Sequence, residues 1–323
     1  MEKIRKAPII FKPYLKTVVW GGNKICEFKG ISQQQPNIGE SWEISPVSPH
    51  ETVVEEGCYK GLNISDLIER FGSQFLGEKV IEKFGNKFPL LIKLIDARDN
   101  LSIQVHPDDE LAKKRQGGSG KTEMWYVISA EKGSKIYAGW KEKINPEDFV
   151  KKVKDGTFVE AVQDYESKSG DVYYLPPGKV HAIGAGNFLA EIQQASDITY
   201  RIYDYDRKDA DGNKRELHVE EAKEAIDFSL GQACKMLNVF SEKDEGILVD
   251  CDHFTTRKLI IKGTRKIKKD TGSFIVVICL SGEIDLDCEE GKVRLKKGET
   301  GLLPAVIEDF KVYGDGEILT TKI

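Results

Sequence analysis

Four polar residues in two neighbouring stretches share one spacing: Gln104 and His106 in "LSIQVHPDD", Lys121 and Glu123 in "GKTEMWYVI". In a β-strand, residues two apart point to the same side, so each pair would put two polar groups on one face. Ile103 and Val105 would then pack on the other face, and Trp125 continues the face of Lys121 and Glu123. A second histidine, His181, follows the turn "LPPGKV", where Pro176 and Pro177 restrict the backbone and Gly178 permits a positive φ. Two imidazoles, a carboxylate and an amide oxygen are donors that zinc accepts, with room left for water or substrate. Each residue alone has an ordinary explanation. A lone strand histidine is commonly just hydrogen-bonded, and a lone glutamine carries no information. Placed together on consecutive strand-like segments, they crowd one interior with polar groups that need partners, and a metal ion satisfies them jointly.

Other residues extend the set. Arg201, in "ITYRIYDY", alternates so that Thr199, Arg201 and Tyr203 share a face. Its planar guanidinium suits an oxyanion or a phosphate oxygen, although pairing with Asp204 or Asp206 is the plainer role. Glu191, in "NFLAEIQQ", points inward if Ile192 points outward. For a phosphate there is no G-x-x-x-x-G-K-[ST] pattern. "KRQGGSGKTE" follows no strand-to-helix sequence, so Gly117 to Gly120 reads as a flexible loop at the pocket edge, with amides that could touch phosphate.

The elements that must hold these residues are mostly strands. "PLLIKLIDA", "MWYVISA", "SKIYAGW" and "DVYYLPP" are short and punctuated by turns, as in a sandwich or barrel. Helical segments interrupt them at about 62–85, 145–156 and 217–229; the second has Asn145 as N-cap, Pro146 at the first helical position and Gly156 past the end. "KSGDVYYLPPGKVH" (168–181) is echoed by "KKGETGLLPAVIED" (296–309), and "YVISAEKGSKI" (126–136) by "VVICLSGEIDL" (276–286). Such an echo suggests a duplicated domain. The second copy sets Asp309 against His181 and Ser273 against Glu123, so the candidate ligands belong to the first copy alone. The expected division is residues 1–235 with the site and 236–323 without it.

Bulk properties set the remaining bounds. The chain has 323 residues, 48 Lys and Arg against 53 Asp and Glu, and a net charge of −5, which gives no reason to expect nucleic acid or an anionic membrane as partner. No apolar run is long enough for a signal peptide or a membrane span, and the chain reads as cytoplasmic. Six cysteines without a C-x-x-C pair read as free thiols.

The ordered combination of Q-x-H, K-T-E and P-P-G-x-x-H, with "VWGG" at 19–22, "IGESWEIS" at 38–45 and "EIQQASDITYRIYDYDR", resembles type I phosphomannose isomerase of the shorter bacterial kind. The resemblance covers nearly the whole chain. It implies two cupin-type jelly-roll β-barrels with inserted helices, and one zinc held by Gln104, His106, Glu123 and His181. It implies interconversion of mannose 6-phosphate and fructose 6-phosphate, with Arg201 catalytic and Lys121, Glu191 and Glu40 in the active site. Moving a proton between C1 and C2 needs a base, and Lys121 and Glu191 are rivals for that role. A cation must also lie near the developing oxyanion. A monomer or weak homodimer is expected. The competing readings are a cupin dioxygenase, which needs redox-active iron, and a non-catalytic sugar-binding cupin, which has no use for the Lys121–Glu123 pair.

Overall fold

The computed structural model describes residues 2–32, 35–208, 212–231, 235–236 and 244–323. Strands dominate it, as the short apolar runs require. A seven-stranded antiparallel sheet runs, in spatial order, Lys235–Met236, Val172–Leu175, Glu123–Ala130, Asn187–Gln194, Leu90–Ala97, Ile38–Ile44 and Tyr14–Gly22. A five-stranded sheet runs Tyr200–Tyr203, Ile103–Val105, His181–Ile183, Lys135–Trp140 and Val162–Glu166. One apolar cluster takes Trp20, Ile95, Trp125, Val127 and Leu189 from the first sheet and Ile136 and Ile183 from the second. The two sheets therefore face each other over a shared core, in the jelly-roll manner. Among the described strands no hydrogen-bonded ring joins them into a closed barrel.

Both outer faces are covered by the inserted helices. "NISDLIERFG" forms Ile64–Phe71, where the Asn63 side chain accepts from the Asp66 N–H and Asp66 accepts from the Asn63 N–H, a reciprocal N-terminal cap. With Ser73–Leu76 and Glu78–Phe84 it packs on the outside of the seven-stranded sheet. Pro146–Lys154, capped by Asn145, and Val219–Ala225 cover the five-stranded sheet. Three further helices, Lys24–Lys29, Asp109–Gln116 and Phe158–Ala161, go beyond the expected segments. The second lacks an apolar stripe, burying only Ala112, but its terminal signals were present: Asp108 accepts from the Leu111 N–H and Gly117 ends it in the left-handed region.

The C-terminal block is an eight-stranded sheet built largely from Thr255–Lys268, Ile275–Cys288 and Asp309–Lys322, and it recruits Ile9–Lys12 from the start of the chain through pairing with Thr300–Leu303. Its own core holds Leu259, Val277, Leu286 and Phe310. Hydrogen bonding fixes how the two copies correspond. Val127 gives its N–H to Asp171 and accepts from Gly170; Cys279 does the same with Glu299 and Gly298. Leu175 pairs with Glu123, and Leu303 with Ile275. Glu123 therefore corresponds to Ile275, two residues beyond the expected Ser273. Asp309 is likewise displaced: it is exposed and paired with Lys266 at 2.6 Å, while Phe310 enters the core. Side-chain direction, which strict letter matching ignores, decides both positions.

Among the described residues, no helix is long and apolar enough to cross a membrane. Cys26, Cys58, Cys251, Cys279 and Cys288 are free thiols, and Cys234 lies outside the described residues.

Candidate active site

Antiparallel pairing brings the predicted residues to one interior. Gln104 pairs with both His181 and Arg201, and residues directly opposite in such a pair share a face. On the facing sheet Glu123 pairs with Gln193, and Glu191 pairs with Trp125 and Lys93. The turn ahead of His181 holds Gly178 at a φ of +80°, where a Cβ would also meet Asp227 at 2.9 Å. The glycine is required twice over.

His106, Glu123 and His181 converge, with their candidate ligand atoms within 4.8 Å of one another and all three residues buried. The two Nε2 atoms are 3.2 Å apart, and Glu123 oxygens lie 3.5 Å from that of His106 and 3.2 Å from that of His181. The other ring nitrogens are committed: His106 Nδ1 donates to the Ile198 carbonyl at 2.8 Å and His181 Nδ1 to the Lys179 carbonyl at 2.7 Å. Since a carbonyl only accepts, each Nδ1 carries the proton and each Nε2 turns a lone pair inward. Burial, aided by the Lys121 charge, holds His106 well below its usual pKa, and burial takes His181 down to about 4. Both rings are thus neutral at pH 7. The Lys121 ammonium, 3.0 Å from Oε2, is the only donor beside Glu123 among the described residues, and burial outweighs it and pushes the carboxyl up to about 7. Two inward lone pairs beside an unsatisfied carboxylate, with the far ring nitrogens anchored, fit a metal ion of borderline character. Gln104 belongs to the same face by register, and its Oε1 accepts from the Ser102 hydroxyl at 3.3 Å.

Lys121 stands against this cluster, its Nζ 3.0 Å from Glu123 Oε2 and 3.1 Å from His106 Nε2. Glu191 is held differently. One oxygen takes the Lys93 ammonium at 3.0 Å and the other the Trp125 indole N–H at 2.8 Å. Despite burial, Lys93 keeps its carboxyl down at about 2. Glu40 accepts from the Trp42 indole at 2.7 Å and faces Lys16 at 3.4 Å and Lys93 at 3.8 Å; these cations outweigh burial and lower its pKa. Lys93 bridges the two glutamates, and they raise its pKa against burial.

Arg201 does not pair with either aspartate. Asp204 is taken by Arg207 and Arg215, and Asp206 by Lys214 at 2.5 Å. The Arg201 guanidinium donates from Nη1 to the Glu216 carbonyl at 3.0 Å and leaves a buried Nε without a partner. Tyr203 corrects the expected alternation. A bulge after Arg201 shifts the register, so Tyr203 pairs with Ile103 and packs on the outer, helix-covered side. The glycine loop is corrected too. Gly117, Gly118 and Ser119 line a cavity of about 1130 Å³ on the outer face of the seven-stranded sheet with Ile68, Phe84 and Phe88, and neither His106 nor His181 is among its lining residues.

Comparison with known proteins agrees with this geometry. Residues 10–147 match the model of the phosphomannose isomerase type I catalytic domain, and 244–323 that of the mannose-6-phosphate isomerase cupin domain. Mannose-6-phosphate isomerase ManA of Bacillus subtilis is 36% identical over 98% of this chain and 99% of its own. The chain belongs to the type I phosphomannose isomerase family. The mannose-6-phosphate isomerase of Streptococcus mutans is 34% identical over 97% of this chain and 98% of its own. The crystal structure of the Bacillus subtilis mannose 6-phosphate isomerase superposes with a TM-score of 0.87 at 32% identity, covering 98% of this chain and 100% of that one.

Within this family fold Lys93 is the residue that sequence reasoning passed over. Its signal was a lysine at the centre of "LLIKLIDA", a strand that is buried at every position. A lysine there must be paired, because an unpaired buried ammonium is too costly. Lys93→Met is therefore expected to lower unfolding stability by about 3–5 kcal/mol, since it strands buried carboxylates. Adding Glu191→Gln should recover part of the loss. Denaturant titration of the single and double variants checks this, and equal stabilities of Lys93→Met and the unaltered protein would remove the pair from the account.

Proposed function

We propose that the chain interconverts mannose 6-phosphate and fructose 6-phosphate, with one zinc ion held by Gln104, His106, Glu123 and His181. The observation that carries the reading is the pair of neutral, anchored histidines beside an unsatisfied glutamate. Zinc held by those donors would supply a Lewis acid for the oxygens of the sugar. Lys121 Nζ, at 3.0 Å from a ligand carboxylate, is positioned to move the proton between C1 and C2. Glu191 is the weaker rival: both its oxygens are engaged, and a carboxylate kept at about 2 is a poor base at neutral pH. We assign Glu191, Lys93 and Glu40 to a fixed polar wall that orients the substrate hydroxyls. Arg201 meets negative charge, either the enediolate or the phosphate. Arg207 and Arg215 share the single Asp204 beside it, so the neighbourhood is cationic. Coupled formation of fructose 6-phosphate from mannose 6-phosphate tests the proposal, and a metal-loaded protein without that activity overturns it. The same reading keeps residues 1–235 as the catalytic part and 236–323 as the part without ligands, in a cytoplasmic monomer or weak homodimer.

Two results follow from these assignments. Arg201→Lys keeps a charge but loses the two-pronged donor, so turnover should fall at least about tenfold, equivalent to ~1.4 kcal/mol. Its melting temperature should stay near that of the unaltered protein, because Arg201 contributes one hydrogen bond to a backbone carbonyl. A lowered melting temperature with normal kinetics would make it structural. The second result concerns protons. Metal ligands must be deprotonated, and in the metal-free site Glu123, at about 7, is the ligand that holds a proton near neutrality, while His181, at about 4, does not. Proton release on zinc binding should rise toward one as pH falls from about 8 to about 6. Calorimetry in buffers of different ionisation enthalpy measures it; release of two protons in that window would mean that the histidines are charged.

A further inference from the structure

The second copy has lost the metal ligands but kept a mouth. A cavity of about 420 Å³ opens at the place in the C-terminal block that corresponds to the catalytic interior of the first. Its floor is apolar: Ile275 fills the position of Glu123, and Leu259, Ile267 and Phe310 complete it. Its rim is cationic, formed by Arg257, Arg265, Lys266, Lys268, Lys269 and Lys322. The register aims two of these inward. Arg257 pairs with Thr320, which pairs with the core residue Val277, so all three share the inner face. Lys322 pairs with Thr255, two residues from Arg257, and lies on that face as well.

Three of the rim charges are compensated or satisfied internally. Arg265 pairs with Glu245, Lys266 with Asp309, and Lys269 donates to the Ala305 carbonyl at 2.8 Å. Among the described residues, the side chains of Arg257, Lys268 and Lys322 make no ion pair within 4 Å and no hydrogen bond; Asp270, the other acid of the rim, is drawn to Lys79 at 2.5 Å, and the longer-range fields of Asp270 and Asp309 reach Lys322 and Lys268. Converging cations over a low-dielectric floor focus a positive potential into a concave site. This is the reverse of a chain whose net charge is −5. Like charges set together repel one another unless an anion joins them.

We propose that the mouth of the C-terminal block binds a small phosphorylated molecule, at a site separate from the catalytic interior. A cavity of this size lies in the ordinary range for small-molecule sites, roughly 300–1,000 Å³. Lysine and arginine donors suit phosphate oxygens, and the floor accommodates the carbon skeleton of an ester. Free phosphate shares the recognition chemistry and serves as the probe.

The test uses the full chain with its metal, labelled on isoleucine methyl groups and titrated with inorganic phosphate. Ile267 and Ile275 report the proposed site, and Ile103 reports the first block. Saturable shifts of the Ile267 and Ile275 methyls are expected. Arg257→Ser combined with Lys322→Ser should raise their midpoint at least about tenfold, while isomerase activity stays unchanged. Lys268→Ser, at an exposed position, should weaken binding by a smaller factor and serves if the double variant does not fold. Shifts confined to Ile103, no saturable shift at all, or the same midpoint in the rim variants would each overturn the proposal. Loss of isomerase activity in the unaltered protein would leave this site standing and bear only on the catalytic reading.

Discussion

His106→Ala is expected to give a folded protein that binds zinc at least about a hundredfold more weakly and has lost its turnover in proportion. Changing a group that merely supports a ligand typically costs about 10–100-fold in metal affinity, and His106 would be a ligand itself. The fold should survive. The imidazole makes one hydrogen bond to the backbone, at the Ile198 carbonyl, and accepts from the Lys121 ammonium at 3.1 Å, while its neighbours Ile103 and Val105 keep their places in the outer core. The second half of the expectation is stoichiometry. One metal per chain should be found by elemental analysis, because Ile275 and Phe310 stand where a second site would need donors. Equimolar metal retained in folded His106→Ala would remove the histidine from the ligand set. Two metals per chain in the unaltered protein would place a site elsewhere.

The convergence of His106, Glu123 and His181 was legible because its signals are local. A period of two placed Gln104 beside His106 and Lys121 beside Glu123, and pairing then carried those faces to one interior. The internal echo was legible for the same reason, since turns impose their residues: Gly170 and Gly298 occupy matching turns. What could not be read was register. Letter matching put Ser273 and Asp309 at the ligand positions, whereas hydrogen bonding and side-chain direction put Ile275 and Phe310 there. Strict alternation gave Tyr203 to the interior, and a bulge beside Arg201 turned it out. Lys93 went unread because its partners, Glu40 and Glu191, are 53 and 98 residues away in the chain; only the sheet order brings the three strands together. The helix Asp109–Gln116 is a different lesson. Its apolar stripe is missing, but its caps were written plainly in "PDDELAKKRQGG".

Lys121→Ala is expected to retain zinc at near-equal stoichiometry while losing about 10²–10⁴-fold in turnover, the usual contribution of a positioned acid–base group. The two halves of that statement separate a proton carrier from a ligand. Lys121 approaches the donors of the cluster without supplying a lone pair of its own while charged, so its removal leaves His106, Glu123, His181 and Gln104 in place. Removing its ammonium also takes a positive charge away from the cation site, which favours metal retention. Thermal stability of the zinc-loaded variant should therefore hold, even though Lys121 is only 4% exposed. Exchange of the substrate C2 proton with solvent is the sharper measurement. It should slow in step with turnover if Lys121 moves that proton. If Lys121→Ala keeps turnover within a few-fold of the unaltered enzyme, the base must be sought elsewhere, and Glu191 is then the group to examine. That outcome would require the Lys93–Glu191 pair to open when substrate binds, because at 3.0 Å from an ammonium and 2.8 Å from an indole N–H the carboxylate is a settled acceptor. Glu191→Gln distinguishes the cases: it keeps the oxygen that accepts from Trp125 and removes only the charge. Modest loss in Glu191→Gln together with severe loss in Lys121→Ala is the pattern that fits the observed contacts.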